Sequence, residues 1–303
     1  MRSRGEWGGV PFHRSARSMK HVLAYSGGKD STAAALLLQE RGIDFTAVFA
    51  DTGWEHPLTY GYIWGAAETF LAAHDLTILR SSKYEGFMDL VVRRKMIPGK
   101  TTRFCTQELK IFPLWDYIAS IDDDVTLYQG IRAEESLPRT RAGARDQVPE
   151  GSEAGHYRPA YTIERPLFTW SAREVFAIHD RHGIEPNPLY KIGAGRVGCW
   201  PCIFVNHREL RVLLKDTPEM IERLRAVEKA ATESGGNPDS PRTMFRADYI
   251  PQRYCSIPIK TKSGQFLRAP SVDDVARYLL SVDEDQLPLL DTPTCLSIYN
   301  LCE

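Results

Sequence analysis

A six-residue run near the start of the chain, Ser26-Gly27-Gly28-Lys29-Asp30-Ser31, has the composition of an anion-binding turn. It follows an apolar run suited to a strand, His21 to Tyr25, and precedes an Ala- and Leu-rich run suited to a helix, Thr32 to Gln39. Glycine lets backbone N–H groups approach a ligand closely, and a helix N-terminus attracts negative charge. Lys29 adds a positive charge, and the serines add hydroxyl donors. The run therefore predicts a phosphate site at a strand-to-helix turn, although its spacing differs from that of the Walker A motif.

Two cysteines in the second half of the chain, Cys199 and Cys202, have a Cys-x-x-Cys spacing that serves several kinds of chemistry. The spacing suits a tetrahedral metal site, an iron–sulfur cluster or a redox dithiol. Two thiolates do not complete a four-ligand site, so a metal would need further ligands from elsewhere. The other cysteines of the chain are Cys105, Cys255, Cys295 and Cys302.

The segments around the anion-binding run alternate between predicted strands and predicted helices. Asp44 to Asp51 has the apolar, partly β-branched character of a buried strand and ends in Asp51-Thr52-Gly53, and a further strand ends at Gly130. This alternation predicts an α/β fold with a parallel sheet and right-handed crossovers. Because ligands bind at the carboxyl ends of parallel strands, we expect Ser26, Asp51 and Gly130 to face one crevice.

Helical patterns and turn residues organise the rest of the chain. Residues 134–159 are polar and contain four arginines, so we expect a mobile loop over the crevice or a disordered insertion. A capping box at Ser171 begins a helix that reaches about His182, and an amphipathic pattern predicts one long helix from His207 to Ser234. The other predicted elements are helices at Pro57 to His74, Tyr84 to Lys95, Cys105 to Ser120 and Ser271 to Ser281, and a strand at Leu76 to Arg80.

Bulk composition is that of an ordinary globular protein. The chain has 303 residues with a net charge of −1, which gives no support for a dedicated nucleic-acid binder. No apolar run approaches the ~20 residues of a membrane span, and the first eighteen residues lack the apolar core of a secretory signal. We therefore expect a cytoplasmic protein without a membrane partner. In that compartment six cysteines favour metal binding or thiol reactivity over a disulfide framework.

Six blocks of residues, taken in order along the chain, resemble the PP-loop superfamily and, within it, the phosphoadenosine-phosphosulfate (PAPS) reductase family. The resemblance implies a parallel-sheet adenine nucleotide alpha-hydrolase-like domain with a smaller, mostly helical, cysteine-containing C-terminal region. It divides the chain into a flexible tail over residues 1–18, a PP-loop domain over 19–205 and a helical region with a cysteine-bearing tail over 206–303. The blocks are Ser26–Ser31; Asp51-Thr52-Gly53 with Pro57 and Tyr60; Arg103, Cys105, Lys110 and Pro113; Gly130–Ser136 with Arg139; Pro166-Leu167, Trp170, Val175 and Asn187–Tyr190; and Gly198–Cys202.

The resemblance implies that the anion-binding run holds the phosphates of an adenine nucleotide, either ATP with Mg²⁺ or PAPS or adenylyl sulfate. Lys29 and Asp30 are catalytic candidates: Lys29 would contact the phosphates, whereas Asp30 would orient the loop or the Mg²⁺ ion. Asp51 would accept a hydrogen bond from the adenine amino group or a ribose hydroxyl, and Arg132 and Arg139 would pair with phosphate or sulfate. The implied nucleotide-binding residues are Ser26, Gly27, Gly28, Lys29, Asp30, Ser31, Asp51, Thr52, Gly53, Gly130, Arg132 and Arg139.

The cysteine blocks resemble those of adenylyl-sulfate reductases that carry a cluster, in which two adjacent cysteines lie on the equivalent helix. Here Cys105 occupies the first of those positions and Thr106 the second. In one ligand set, Cys105 joins the Cys-x-x-Cys pair, and the fourth ligand comes from Cys255, Cys295 or Cys302 or is missing. In the other set, Cys295 and Cys302 join the pair, and Cys105 is a reactive thiol in the crevice. We expect a [4Fe–4S] cluster, with structural zinc or ordinary buried cysteines as alternatives.

Two features bear on the activity. Reductases of this family attack sulfur with a cysteine in a C-terminal Glu-Cys-Gly-His-like tail, and residues 294–303 contain no such motif. The intact Ser-Gly-Gly-x-Asp-Ser loop is typical of members that cleave ATP between its α- and β-phosphates. The resemblance therefore favours an ATP pyrophosphatase linked to sulfur transfer, similar to Dnd-type DNA phosphorothioation and tRNA-thiolation enzymes.

Three functional hypotheses follow. In the first, the enzyme adenylates an acceptor, either nucleic acid or a small molecule, and sulfur comes from a cysteine desulfurase or another sulfur or electron donor. In the second, it is a PAPS or adenylyl-sulfate reductase that produces sulfite, with Cys295 or Cys302 as the attacking thiol. In the third, it is a nucleotide-binding subunit or sensor without turnover.

Overall fold

The computed structural model describes residues 18–99, 102–135, 137–235, 241–260, 264 and 266–282. The predicted N-terminal tail, apart from Ser18, lies outside these residues, as do Cys295 and Cys302. The strands are β1 (Met19–Ala24), β2 (Thr46–Ala50), β3 (Leu76–Leu79), β4 (Asp124–Gln129), β5 (Arg145–Val148), β6 (Gly151–Glu153), β7 (His156–Arg158), β8 (Tyr161–Glu164), β9 (Ile257–Lys260) and β10 (Phe266–Ala269). The α-helices are α1 (Lys29–Glu40), α2 (Pro57–Glu68), α3 (Phe87–Arg94), α4 (Phe104–Thr106), α5 (Phe112–Ala119), α6 (Leu137–Thr140), α7 (Ala172–His182), α8 (His207–Asp216), α9 (Glu219–Ser234) and α10 (Val272–Ser281).

Six of these strands form the main sheet, in the order β3-β2-β1-β4-β8-β5. The neighbouring strands from β3 to β8 are parallel, and β5 pairs antiparallel with β8 at one edge. Strands β1 and β4 pair along their whole length, from Met19 opposite Asp124 to Ala24 opposite Gln129. The predicted α/β fold with a mainly parallel sheet is confirmed.

Helices cover both faces of the sheet because its central strands are apolar on both sides. On one face, Leu23 packs in a cluster with the buried Ala33–Leu38 stretch of α1 and with Val175 of α7. On the other face, the neighbouring Val22 packs in a second cluster with Trp115 of α5. Adjacent strand residues point to opposite faces, so both clusters are anchored on the strand that leads into the anion-binding run.

The C-terminal helices share a core with elements that precede the Cys-x-x-Cys pair. One apolar cluster contains Leu213 of α8, Leu224 of α9 and Leu279 of α10 together with Phe87 and Leu90 of α3. Strands β9 and β10 form an antiparallel hairpin in the same region. Residues 206–282, where described, are therefore mostly helical and are packed against the sheet domain through α3.

The prediction of one long helix from His207 to Ser234 is wrong. The chain forms two helices, α8 and α9, with a break at Thr217 and Pro218. Thr217 has φ −135° and ψ 66°, which is not helical. A residue that precedes proline is sterically disfavoured in the α region, and this explains where the first helix ends.

The prediction of a mobile loop or disordered insertion over residues 134–159 is also wrong. The segment contains α6, the edge strand β5 and a hairpin formed by β6 and β7. The hairpin turns at Ala154 and Gly155, which both have positive φ. Backbone pairing to β8 orders the polar strand β5, and Arg145 pairs across with Glu164 at 3.2 Å. An edge strand can be polar because one of its sides and much of its surface remain in water.

Helix α2 ends at Glu68, earlier than the predicted end at His74, and turns follow it. The predicted helix from Cys105 to Ser120 is present as α4, a π-helical stretch at Gln107–Ile111, and α5. In the parts of the chain that the structure describes, no helix combines the length and the apolar character that crossing a membrane requires.

Candidate functional site

The carboxyl ends of β1, β2 and β4 open into one pocket, which we term the strand-end pocket. Ser26, Ser31 and Gly130 line it, so two of the three predicted strand ends contribute directly. The third predicted strand-end residue, Asp51, follows β2, whose Ala50 lines the pocket. Further polar or charged lining residues are Glu55, Lys110 and Gln129.

The anion-binding run forms a tight turn between β1 and α1. Gly27 has φ +75°, a conformation that an L side chain rarely adopts, and a Cβ there would lie 2.9 Å from Ile63. The hydroxyls of Ser26 and Ser31 are 3.1 Å apart, and the Ser31 hydroxyl donates to the Gly28 carbonyl at 3.0 Å. The backbone N–H of Gly28 donates to the Ser26 hydroxyl at 3.3 Å. These local bonds hold the turn in one shape beside the pocket.

Residues from the segment around α7 support the turn from outside. The backbone N–H of Lys29 donates to the Tyr190 hydroxyl at 3.1 Å, and the Lys29 ammonium lies 5.5 Å from the centre of the Tyr190 ring. The side-chain amide of Asn187 donates to the Gly27 carbonyl at 3.2 Å. The His179 imidazole contacts the Lys29 carbonyl at 2.8 Å. A segment about 150 residues away in sequence therefore positions the phosphate-binding candidate Lys29.

Charged side chains form a connected series behind the turn. The buried Asp30 carboxylate pairs with Lys29 and accepts a 2.6 Å hydrogen bond from Nε of Arg132. The buried Arg132 guanidinium also donates to Glu134 at 2.7 Å. Arg139 is buried as well and pairs with Glu135. The two arginines predicted to bind phosphate or sulfate thus have carboxylate partners, and Arg132 reaches the turn through Asp30.

Gly130 lies against the backbone of the first turn of α1. A Cβ at this position would be 2.6 Å from the carbonyl carbon and oxygen of Asp30 and 2.7 Å from the backbone nitrogen of Ser31. Such distances are well inside van der Waals contact, so only glycine allows this approach. Gly130 therefore brings the end of β4 and the start of α1 together at the pocket.

Asp51, Thr52 and Gly53 form a hydrogen-bonded turn after β2. Asp51 accepts from the Gly53 N–H at 3.0 Å, from the Tyr60 hydroxyl at 2.7 Å and from the Arg80 guanidinium at 2.8 Å. Burial raises the pKa of the Asp51 carboxyl, but the hydrogen bonds from Tyr60, Gly53 and Arg80 outweigh it and lower the pKa below its ordinary value. Asp51 is therefore an ionised acceptor whose lone pairs are largely used within the protein.

Glu55 is a buried carboxylate that the sequence did not single out. It accepts from the Thr52 hydroxyl at 2.7 Å and from the Thr52 N–H at 3.2 Å. Its Oε2 also lies 3.0 Å from the Tyr60 hydroxyl, which shares its single proton between Asp51 and Glu55. Burial, followed by the charges of Glu55 and Asp51, raises the pKa of Tyr60. Glu55 also lines the strand-end pocket, so it contributes negative charge to the crevice wall.

Three cysteines predicted as metal ligands, Cys105, Cys199 and Cys202, line a second pocket, which we term the cysteine pocket. Thr52 lines it too, with its hydroxyl 4.0 Å from the Cys199 sulfur. Cys255, by contrast, is buried away from this pocket among the C-terminal helices. The structure therefore brings Cys105 to the Cys-x-x-Cys pair, as the first ligand set requires.

The turn that carries the Cys-x-x-Cys pair is held against the segment after β2. The Trp200 N–H donates to the Trp54 carbonyl at 2.8 Å, and the Trp54 indole N–H donates to the Pro201 carbonyl at 3.1 Å. Arg223 of α9 covers both rings, with its guanidinium carbon 3.9 Å from the Trp54 ring centre and 5.3 Å from that of Trp200. The same guanidinium donates to the Gly53 carbonyl at 3.1 Å. The C-terminal region thus helps to position the cysteine pocket.

The arrangement of the three cysteines bears on which metal group they suit. Among the residues that the structure describes, no group of three or more His, Cys, Asp or Glu side chains is arranged to hold a metal ion. A [4Fe–4S] cluster offers a separate iron to each thiolate, so its cysteines surround a pocket instead of converging on one point. Cys105, Cys199 and Cys202 thus line one pocket, and among the described residues they do not form a single-ion site.

Lys110 lies between the two pockets and lines both. It belongs to the π-helical stretch Gln107–Ile111, one turn after Cys105. π-Helical turns are uncommon and occur frequently at functional sites. Lys110 is therefore a positively charged residue in the wall between the strand-end pocket and the cysteine pocket, and it could contact a molecule bound in either one.

The sequence alone did not predict Lys110, Tyr190 and Glu55 as site residues. Lys110 and Tyr190 were visible as members of ordered motif blocks, but the blocks alone do not say which members reach the crevice. For Glu55 the sequence carries no signal, because a single glutamate after a tryptophan has no distinctive pattern.

The fold and the turn define an adenine-nucleotide domain of the PP-loop type. The model of the phosphoadenosine phosphosulfate reductase domain matches residues 20–204, which is more than half of the chain. The chain belongs to this family, whose members are typically enzymes and bind adenine nucleotides.

The chain is similar to several known proteins. An uncharacterized 37.8 kDa protein of Escherichia phage 186 is 32% identical over 285 residues, covering 78% of this chain and 82% of that protein. An adenosine 5'-phosphosulfate reductase of Allochromatium vinosum is 32% identical over 120 residues, covering 39% of each chain. The solved phosphoadenylyl-sulfate reductase of Candida auris, in a phosphate complex, is 15% identical with a TM-score of 0.45, covering 62% of this chain and 84% of that one.

Proposed function

We propose that this protein is an ATP pyrophosphatase that activates an acceptor for sulfur transfer. The observation that carries the proposal is that Lys110 lines both the strand-end pocket and the cysteine pocket. A nucleotide bound in the first pocket would therefore lie next to sulfur chemistry in the second. The intact Ser26–Ser31 turn supports ATP as the nucleotide, because it leads into the N-terminus of α1, where the helix dipole favours the negative charge of a pyrophosphate group.

In the first step, an acceptor oxygen attacks the α-phosphorus of ATP. The bond from that phosphorus to the oxygen shared with the β-phosphate breaks, and pyrophosphate leaves. Catalysis of this kind depends on positioning and on stabilising charge, which Lys29, Lys110 and the N-terminus of α1 would provide, with Mg²⁺ on the phosphates. Asp30 would position Lys29, since the two side chains are already paired.

In the second step, a sulfur nucleophile at the oxidation level of sulfide displaces AMP from the activated acceptor. No electrons are exchanged overall, because sulfur enters and AMP leaves as nucleophile and leaving group. The partner class that this step requires is a donor of sulfide-level sulfur. A cysteine desulfurase delivers persulfide sulfur, so it would act together with a dithiol that gives two electrons to that sulfur and is itself oxidised to a disulfide. The acceptor is either nucleic acid or a small molecule.

Cys105, Cys199 and Cys202 would hold a [4Fe–4S] cluster, with a fourth ligand from Cys295 or Cys302 outside the described residues or with one iron open. When bound, such a cluster supplies iron that can carry a sulfur ligand. The chain's own contribution is to keep the three thiolates around one pocket, with Thr52 and Lys110 on its wall.

The test is to incubate anaerobically purified protein with ATP and Mg²⁺, in the presence of bulk tRNA or DNA as acceptor, and to measure pyrophosphate. Lys29→Ala should lower pyrophosphate release by about 100-fold or more, which is typical of losing a group that stabilises developing charge. Lys229→Ala is the matched control, because Lys229 is 75% exposed and lies on α9 away from both pockets. Equal rates for the two variants would contradict the assignment of Lys29.

A parallel incubation with PAPS or adenylyl sulfate and a dithiol distinguishes the reductase hypothesis, which the similarity to an adenosine 5'-phosphosulfate reductase supports. Sulfite formation without pyrophosphate release from ATP would contradict our proposal and favour a reductase. ATP binding measured by calorimetry, with neither product formed, would favour a nucleotide-binding subunit or sensor.

A further inference from the structure

Positive charge is concentrated in one stretch of this nearly neutral chain. Residues 80–110 contain eight Lys or Arg and three Asp or Glu, a local net charge of +5 in a protein whose total is −1. The remainder of the chain therefore carries −6. The stretch includes Cys105 and Lys110, so the excess of positive charge surrounds the helix that lines the cysteine pocket.

Four side chains of this stretch, Lys83, Arg93, Arg94 and Lys95, form what we term the basic surface. Three of them surround the ring of Tyr84, with the Lys83 ammonium 5.2 Å, the Arg93 guanidinium 4.9 Å and the Arg94 guanidinium 6.0 Å from its centre. Lys95 follows at the end of α3 in a left-handed conformation, with φ 54°. One aromatic ring thus gathers three cations, and a fourth follows at the end of the adjacent helix.

The carboxylates near the basic surface do not neutralise it. Glu108 pairs with Arg94 and lies 3.9 Å from Lys83, and Asp89 lies 3.5 Å from Arg93. Together with Glu85, which follows Tyr84 in sequence, three carboxylates are set against four cations, so a positive excess remains. The side chains of Lys83, Arg93 and Arg94 are 55%, 51% and 40% exposed, so their charges face water. The dipole of α3 favours positive charge at the C-terminal end of the helix, where Arg93 and Arg94 lie. It does not explain Lys83, which precedes the N-terminal end.

The basic surface borders the cysteine pocket and is separate from the strand-end pocket. Arg94 has its guanidinium carbon 5.8 Å from the Phe104 ring, and Phe104 directly precedes Cys105. Phe87, which begins α3, lines the cysteine pocket itself. None of the four basic residues lines the strand-end pocket, so a bound nucleotide does not account for them.

We propose that the basic surface binds the phosphate backbone of a nucleic-acid acceptor and leads that acceptor to the cysteine pocket. This inference rests on the proposed function and narrows its acceptor to a nucleic acid. Spaced cations that neutralise backbone phosphates release counterions, and this release drives binding without a deep pocket. Val92 and Met96, which flank the cations and are 41% and 40% exposed, offer apolar contacts beside the phosphates.

The distribution of charge favours a nucleic-acid strand over a membrane surface. A strand is narrow and can contact the basic surface alone. An anionic bilayer is a broad plane that interacts with the charge of the whole chain, which is −1. Electrostatic repulsion would then oppose docking. We therefore assign the surface to nucleic acid.

The experiment measures binding of the full chain, without ATP, to fluorescein-labelled single-stranded RNA, single-stranded DNA and duplex DNA of about 20 units, longer than the ~4–16 nucleotides that a single-strand-binding fold covers. The variant is Arg93→Gln with Lys95→Gln, and fluorescence anisotropy is recorded between about 50 and 200 mM salt. The control is Lys215→Gln with Lys229→Gln. This control removes the same number of positive charges from similar positions. Lys215 lies in the last turn of α8, as Lys95 lies at the end of α3. Lys229 forms an i,i+4 pair with Glu233, as Arg93 does with Asp89.

We expect the Arg93/Lys95 variant to bind about tenfold or more weakly to at least one of these nucleic acids, with a salt slope smaller by about two, whereas the control matches wild type. Circular dichroism and thermal unfolding check that both variants fold. Equal binding by variant and control, or no binding by wild type, would overturn the inference. It would also be overturned if the variant lost binding to phosphatidylglycerol vesicles but kept nucleic-acid binding.

The outcome separates this inference from the proposed function. Pyrophosphate release from ATP by a protein that binds no nucleic acid would leave the pyrophosphatase proposal standing and remove the nucleic-acid acceptor. Nucleic-acid binding through Arg93 and Lys95 without pyrophosphate release would support the basic surface and remove the pyrophosphatase proposal.

Discussion

Nε of Arg132 donates a 2.6 Å hydrogen bond to Oδ1 of Asp30, and both side chains are buried. The two residues are 102 positions apart, one after β4 and the other in the first turn of α1. Asp30 also pairs with Lys29, so Arg132 is linked through a shared carboxylate to the lysine that we propose binds phosphate. The ion pair thus connects two of the strand ends that form the pocket.

Replacing Arg132 with alanine should lower the free energy of unfolding by about 1.5–3 kcal/mol, because the buried Asp30 carboxylate loses a charged hydrogen bond and keeps only Lys29 as its cationic partner. Arg80→Ala is the comparison, since Arg80 pairs with Asp51 but is 69% exposed, and its loss should cost about 1 kcal/mol or less. Urea unfolding followed by circular dichroism measures both. Similar losses in the two variants would contradict a structural role for the Arg132–Asp30 pair.

Replacing Gly130 with alanine should disrupt the contact between β4 and α1. The new methyl group would meet the Asp30 backbone at 2.6 Å, and overpacking of this kind costs about 1–3 kcal/mol. Because the displaced backbone belongs to the anion-binding turn, ATP affinity should fall as well. Gly195→Ala is the control, since a Cβ there meets nothing within 4 Å. Calorimetric ATP binding that is unchanged in Gly130→Ala would contradict this account.

The ionised Asp51 carboxylate should make stability depend on acid pH. Its pKa is lower in the folded protein than the ordinary value of about 3.9, so unfolded chains take up a proton more readily than folded ones as the pH falls. The stabilisation from Asp51 is thus complete above about pH 5 and is lost as the pH falls through the folded-state pKa.

Asp51→Asn removes this contribution. Its free energy of unfolding should be lower than that of wild type at pH 7, and the difference should shrink toward about pH 3. Urea unfolding at a series of pH values measures the trend, with Asp248→Asn as a surface control because Asp248 is 69% exposed. A constant difference between wild type and Asp51→Asn across the series would show that the carboxylate's charge is not what stabilises the turn.

Iron content should depend on the cysteines of one pocket. We expect anaerobically purified wild type to carry about four irons per chain and Cys105→Ser, Cys199→Ser and Cys202→Ser to lose most of that iron. Cys255→Ala is the control, because Cys255 is 3% exposed and lies outside the cysteine pocket. Metal and sulfide analysis decides between the alternatives. One zinc per chain would rule out the cluster, and iron retained by Cys105→Ser would support the ligand set of Cys199, Cys202, Cys295 and Cys302.

Local sequence patterns predicted most of the elements because such elements depend on neighbouring residues. Gly27 needs a positive φ, and the apolar strand before it and the helical run after it leave few other conformations for the turn. The capping box at Ser171 likewise marks the start of α7. The prediction of one long helix was wrong because the amphipathic pattern continues past Pro218, whereas the helical backbone is interrupted at Thr217 and Pro218. The prediction for residues 134–159 was wrong because β5 is ordered by pairing with β8, and the polar composition of the segment does not reveal that pairing.

The sequence by itself determined an α/β fold, a PP-loop turn at Ser26–Ser31 and a Cys-x-x-Cys pair, since each is written in adjacent residues with short-range preferences. Only the tertiary structure decided that Arg132 pairs with Asp30 and that Cys105 joins the Cys-x-x-Cys pair in one pocket. It also decided that Lys110 lies between the two pockets. The physical reason is that these contacts depend on which strand ends and helices become neighbours in the fold. The types of residues that are far apart in sequence do not reveal how close their side chains will lie in space.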